Sequence, residues 1–240
     1  MGNEHGEWIM HGLSWNDKNR IRSAEELEAV VNRIGFLPLF QNDIPGFSVE
    51  ERTSPEHWWS GTEDDPWEWR QVIARRHQVA YGKFFDKKAG FVSLKWLPYF
   101  INHRRDGYDF DSLYEDGKAG RRSKKIMDLF EENNSLPSYL IKAKAGFGKD
   151  GEKNFDGVIT ELQMQTYLVM SDFQRKKNKK GEEYGWSVAV YSTPEQLWGY
   201  KEMTAAYKED PAASKERIRE RICESYPEVL QIKSKMFRKI

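Results

Sequence analysis

Gln163 and Gln165 stand two residues apart in LQMQTYLVMSDFQRKKNKK, a stretch that ends on Arg175, Lys176, Lys177, Lys179 and Lys180 around one asparagine. A glutamine can pair with the edge of an adenine, and in a base-removing site a carboxamide can hold a water against the sugar. A loop of cations can neutralise phosphates and release their counterions, which makes affinity depend steeply on salt. Both features also have plain readings, a glutamine that finishes a helix and a solvated lysine-rich hairpin loop. Residues i and i+2 diverge on a helix, so the two glutamines share a face only where a strand has already begun.

The surrounding charge favours phosphate binding. Arg121, Arg122, Lys124, Lys125, Lys142, Lys144, Lys149 and Lys153 precede the basic loop. Residues 121 to 180 hold 13 bases and 8 acids, residues 1 to 120 hold 15 and 20, and residues 181 to 240 hold 10 of each. A net charge of zero therefore conceals +5 in the middle and −5 in the first half. A confined basic excess in a neutral chain implies a local anionic partner.

Other chemistry-bearing residues have simpler explanations. Gly146, Gly148 and Gly151 spell GxGxxG, which cradles a pyrophosphate when it follows a strand and opens a helix. Here it follows LIKAKA, a helical pattern, so the glycines read as a turn between helices. Trp58, Trp59, Trp67, Trp69 and Trp96 offer stacking surfaces for an unpaired base, though a tryptophan cluster is more often core. Trp67 and Trp69 cannot both face one side of a helix. Glu50, Glu51, Asp64 and Asp65 stand around turns and helix starts, where capping and solvation account for them. His57, His77 and His103 are isolated, and Cys223 has no histidine at metal-ligand spacing, so neither zinc nor another cofactor is expected.

The elements that must position these residues follow from caps and periodicity. Ser23 with Glu26 opens a helix that Gly35 ends, and Pro38, Pro45 and Gly46 break the next segment into turns. Asp65-Pro66 opens a second helix. YGKFF and FVS make a hairpin, and a helix is expected from Ser93. Residues 105–120 are acidic and rich in glycine, which marks a boundary between domains. RRSKKIMDLFEENN, SLPSYLIKAKAG and NFDGVITELQMQ then read as three helices, the third capped near Asn154, with TYLVMSDF and WSVAVYST as a returning pair of strands. Three helices followed by a long-tipped hairpin is the order of a winged helix, whose third helix enters the major groove while the hairpin loop lies on the flanking backbone. Thr193-Pro194 with Gln196 opens C-terminal helices that brace the rest.

The expected fold is α+β, mostly helical, with tandem winged-helix-like domains and short antiparallel hairpins. The divisions fall at 1–120, 121–193 and 194–240. The 240 residues suffice for a sizeable core. No apolar run approaches the roughly 20 residues that span a bilayer, and the N-terminus lacks the pattern of a signal peptide, which points to the cytoplasm and away from membranes.

IGFLPLF, from Ile34 to Phe40, carries a helix that ends in glycine into a short apolar stretch, and KKAGFVSLKWLPYFINHRR runs from Lys87 to Arg105. In this pattern, over about residues 24 to 193, the chain resembles the AlkZ-like DNA glycosylases, which excise bulky alkylated or cross-linked bases. The resemblance implies tandem winged helices and DNA as the ligand. It also implies a catalytic Gln-x-Gln or Gln-x-Asp, but Pro38 and Phe40 occupy those positions, and Lys87 or Lys88 replaces the histidine of the second motif. Gln41 lies nearby, out of register, and the Gln163/Gln165 pair falls in the second winged helix.

The reading is a protein that binds double-stranded or damaged DNA, with its catalytic residues replaced and its oligomeric state open. The alternative is a non-enzymatic winged-helix regulator or a protein-interaction module. The expected interface comprises Arg175, Lys176, Lys177, Lys179 and Lys180 on the wing and Asn154, Gln163 and Gln165 on the third helix. Arg121, Arg122, Lys124, Lys125, Lys149 and Lys153 complete it.

Overall fold

The computed structural model describes residues 9–178 and 180–239, so Lys179 of the wing lies outside the described residues. Helix α1 (Ala24–Ile34) begins where Ser23 Oγ accepts the Glu26 N–H at 3.3 Å, and it buries Leu27 and Val31. The chain turns at Gly35 into β1 (Phe36–Pro38). Helix α2 (Pro66–Arg76) starts on Asp65, whose carboxylate accepts the Trp67 N–H at 2.8 Å. Strands β2 (Val79–Phe85) and β3 (Lys88–Ser93) form a hairpin over the two-residue turn Asp86-Lys87.

The next helix, α3 (Leu97–Arg105), begins later than expected. Ser93 does not cap it: it is the last residue of β3, paired with Val79, and its hydroxyl has no hydrogen-bond partner among the described residues. Within the stretch read as a turn-rich boundary lies α4 (Phe110–Glu115), capped by Asp109. Phe110 is buried edge-on against Tyr167, which anchors the stretch to the core.

The helix expected over residues 121–134 is divided into α5 (Arg121–Met127) and α6 (Leu129–Glu132) at Asp128, while Ile126 and Phe130 still face inward. A short β4 (Leu136–Pro137) precedes α7 (Ser138–Lys144). Then come α8 (Phe155–Met164), β5 (Val169–Lys177) and β6 (Glu183–Ser192). Thr193 and Gln196 close a reciprocal capping box at α9 (Pro194–Trp198). After it follow α10 (Tyr200–Met203), α11 (Pro211–Ser225) and α12 (Lys235–Lys239).

The strands form one antiparallel sheet in the order β1-β3-β2-β5-β6-β4. Each half contributes three strands, and in each half the short first strand pairs with the third. The halves meet where β2 pairs with β5 at Tyr81 and Met170. Strands from both sides of residue 120 thus share one sheet, and one apolar cluster runs from Ile21 to Phe237. Helix α11 packs on α3, where buried Asn102 donates to Ser214 Oγ at 2.9 Å. Arg105, almost fully buried, pairs with Glu195 of α9 and donates to the Thr166 carbonyl at 2.7 Å.

Candidate nucleic-acid interface

The β5–β6 hairpin extends past the packed body of the protein. Near the body its residues are buried, as at Phe173 and Val190, and toward the tip Arg175, Lys177 and Lys180 are exposed. Lys176 leans inward, its Nζ 5.7 Å from the centre of the Tyr139 ring. The pairing skips between Gln174↔Val188 and Lys176↔Tyr184, so Gly185, Trp186 and Ser187 stand opposite Arg175 alone. Gly185 takes φ 73, a value glycine reaches without steric cost. The bulge holds Trp186 in the open, with 93% of its surface exposed, and Tyr184 is 53% exposed beside it. An indole left in water amid cations is a stacking surface without a partner.

Sequence reasoning missed Trp186. It stands first in WSVAVYST, where alternation gives it the place of an inward residue of a packed strand. The signal available was Gly185 immediately before it, a residue that interrupts alternation.

Several cations expected at the interface are already held by the protein. Lys124 pairs with Asp128, with Asp111 at 3.1 Å and with Glu131 at 3.8 Å, and the first two raise its pKa above the ordinary lysine value. Arg121 and Lys125 converge on Glu152 at 2.7 and 2.9 Å. Arg122 donates to the Lys153 carbonyl, and Lys153 Nζ donates to the carbonyls of Gly148 and Lys149. Arg121, Arg122 and Lys125 thereby staple α5 to the turn before α8. Lys149 itself is exposed on that turn.

Helix α8 presents a different face from the expected one. Gln163 is fully buried, accepting the Lys83 N–H at 3.1 Å and donating to the Ile159 carbonyl at 3.0 Å. Gln165 is half-buried at the helix end, and Asn154 is exposed at its start with φ 65. The exposed positions of α8 include Asp156 and Glu161, like charges to a phosphate backbone. The glycine motif is a turn: Gly146 has φ 77, and a Cβ at Gly151 would stand 2.1 Å from the Gly146 carbonyl oxygen.

The tryptophans divide. Trp58 and Trp69 are core, their indole N–H groups donating to Thr53 Oγ1 and the Glu63 carbonyl. Trp67 is half-buried and carries the Arg70 guanidinium 3.7 Å from its ring centre. Gln41 lines a cavity of about 720 Å³ with Asp43, Glu50 and Asp86. Both Glu50 oxygens are engaged there, accepting the N–H groups of His11 at 3.1 Å and Gln41 at 2.9 Å. Pro38, on β1, is buried opposite Gly90. Among the described residues no group of three or more His, Cys, Asp or Glu side chains could hold a metal, and no helix is long and apolar enough to cross a membrane.

No curated protein matches the chain. The sequence profile of the family described as AlkZ related matches residues 21–240, from the start of α1 through the shared sheet, the hairpin and the bracing helices. A match over that much of its length means that the chain belongs to the AlkZ-related family.

Proposed function

We propose that this protein binds duplex or damaged DNA through the β5–β6 hairpin, acting as a relative of the alkylation glycosylases that holds DNA without excising a base. The order α5-α6-β4-α7-α8-β5-β6, with α5 and α6 read as one broken first helix and β4 paired to β6, supports reading residues 121–193 as a winged helix with that hairpin as its wing. The order α1-β1-α2-β2-β3, with two short 3-10 helices (Glu50–Arg52 and Pro55–His57) before α2 and β1 paired to β3, supports a second such unit in residues 1–120. The single observation that carries the proposal is Trp186, 93% exposed on a bulge opposite Arg175, with Lys177 and Lys180 exposed beside it. An aromatic ring stacks on or wedges between bases, and the cations hold the flanking phosphates.

The carboxylates on the open face of α8 argue against a regulator that reads sequence with that helix. Pro38 and Phe40, in the places of the family's catalytic pair, cannot orient water. Fluorescence anisotropy with labelled duplex at several salt concentrations, run beside an assay of base release from alkylated DNA, tests both parts. Binding that weakens steeply with salt and no released base agree with the proposal. No binding at low salt rejects it, and base release rejects the non-excising part.

A further inference from the structure

A cavity of about 390 Å³ opens at the root of the β5–β6 hairpin, between the hairpin, β2, α7 and α8. Lys83 of β2, Lys142 of α7 and Lys176 of β5 line it, and buried Tyr191 forms part of its inner wall. Asp156 of α8 is the only carboxylate among the described lining residues.

These lysines differ from the cations of α5, which carboxylates already hold. Lys83 Nζ donates to Thr160 Oγ1 at 3.2 Å, and Lys176 Nζ stands 5.7 Å from the centre of the Tyr139 ring. A hydroxyl and a ring face meet these two cations and neutralise neither. Lys142 is exposed on α7. Among the described residues none of the three forms an ion pair. Like charges gathered around one concavity repel one another, and an anion inside it relieves them.

The balance of charge selects the anion. Three positive charges against one negative leave an excess of two. An internal phosphate of a strand brings one charge and must leave a concavity by two ester links, one on either side. A phosphate monoester at a strand end brings about 1.5 to 2 negative charges at pH 7 and leaves by a single link.

We propose that this pocket holds the terminal phosphate of a DNA strand, gripped by Lys83, Lys142 and Lys176, so that the protein engages phosphorylated strand ends in preference to uninterrupted duplex. The proposal rests on the DNA-binding reading of the hairpin and adds the form of DNA preferred. Arg175, Lys177 and Lys180, exposed toward the tip, follow the flanking backbone, while Lys176 turns inward from the same strand to the end itself.

The test compares, by anisotropy, labelled duplexes of one sequence whose unlabelled end carries a 5′-phosphate, a 3′-phosphate or hydroxyls only. A phosphate on at least one of the two termini raises affinity about tenfold or more over the hydroxyl duplex, the size expected of charge-assisted bonds to one more anion. Lys142→Ala, at an exposed helix position that alanine suits, keeps the urea midpoint and brings the phosphorylated and hydroxyl duplexes within about twofold of each other. Lys176→Ala does the same, whereas Arg175→Ala weakens both duplexes and keeps their ratio. Equal affinities in the parent protein, or a ratio untouched by Lys142→Ala and Lys176→Ala, overturn the pocket and leave the hairpin reading standing while duplex is still bound. Binding of phosphorylated duplex alone supports the pocket and removes the hairpin reading. Binding of no duplex overturns both.

Discussion

The side-chain carbonyl of Gln163 accepts the backbone N–H of Lys83 across 3.1 Å, joining residues 80 positions apart. Its amide donates to Ile159 one turn back in α8. The glutamine is therefore a tie between α8 and β2, elements drawn from the two halves of the chain, and it is fully buried while it serves as one.

Replacing Gln163 by leucine leaves the part-buried Lys83 N–H without its side-chain acceptor, which costs about 1–3 kcal/mol. Urea unfolding reads that loss as a lower midpoint at unchanged slope. DNA affinity measured well below the midpoint stays within about twofold of the parent. A variant that unfolds normally yet binds DNA poorly would restore Gln163 as a contact residue.

Trp186→Ala should separate stability from binding in the opposite sense. Trp186 is 93% exposed, so its removal leaves unfolding within about 0.5 kcal/mol. Stacking of one base on an aromatic ring contributes about 1–3 kcal/mol, so DNA affinity falls about tenfold or more. Titration of a labelled duplex with this variant measures it, and unchanged affinity would make the exposed indole irrelevant to DNA.

Acid should loosen the contact between α1 and α2. Arg76 beside Glu25, with the local backbone and Ser23, holds the Glu25 carboxyl down to about 2 from an ordinary 4.5. A carboxyl whose folded pKa is depressed contributes stability that is fully present above about pH 4.5 and is lost as pH falls toward 2. The pair is exposed, so the contribution is small and screened by salt. Unfolding midpoints of the parent and of Glu25→Gln between pH 5 and 2.5 should converge as pH falls, and a constant gap would contradict the assignment.

Local signals carried the element starts. Ser23, Asp65 and Thr193 each accept an N–H two or three residues on, so their helices were legible from caps alone. The hairpins and the basic character of the wing were legible for the same reason, since turn residues and strand formers act over short distances. What escaped depended on distant partners. Lys124 has Asp128 one turn on, a pair the sequence offers, but Asp111 reaches it only when α4 packs beside α5. Ser93 has the look of a cap until β1 and β2 take it as the end of β3. The Gln163 burial needs β2 against α8, and the stacking of Arg70 on Trp67 and Phe173 needs the two rings brought together from either side of residue 120. Trp186 shows the limit of alternation itself, since a strand pattern predicts which side a residue takes and not whether anything covers that side.

The central claim is that DNA is held by the free cations of the hairpin rather than by those already paired on the helices. Its most direct test is the salt dependence of duplex binding, by anisotropy between about 50 and 200 mM salt, a range over which phosphate contacts lose most of their affinity. Changing Arg175, Lys177 and Lys180 together to alanine should lower the slope of log affinity against log salt by about 3, one per phosphate contact removed. Lys124→Ala, whose cation is held by Asp111, Asp128 and Glu131, should leave that slope unchanged. A slope indifferent to the hairpin substitutions, or reduced as much by Lys124→Ala as by each hairpin cation, would contradict the account.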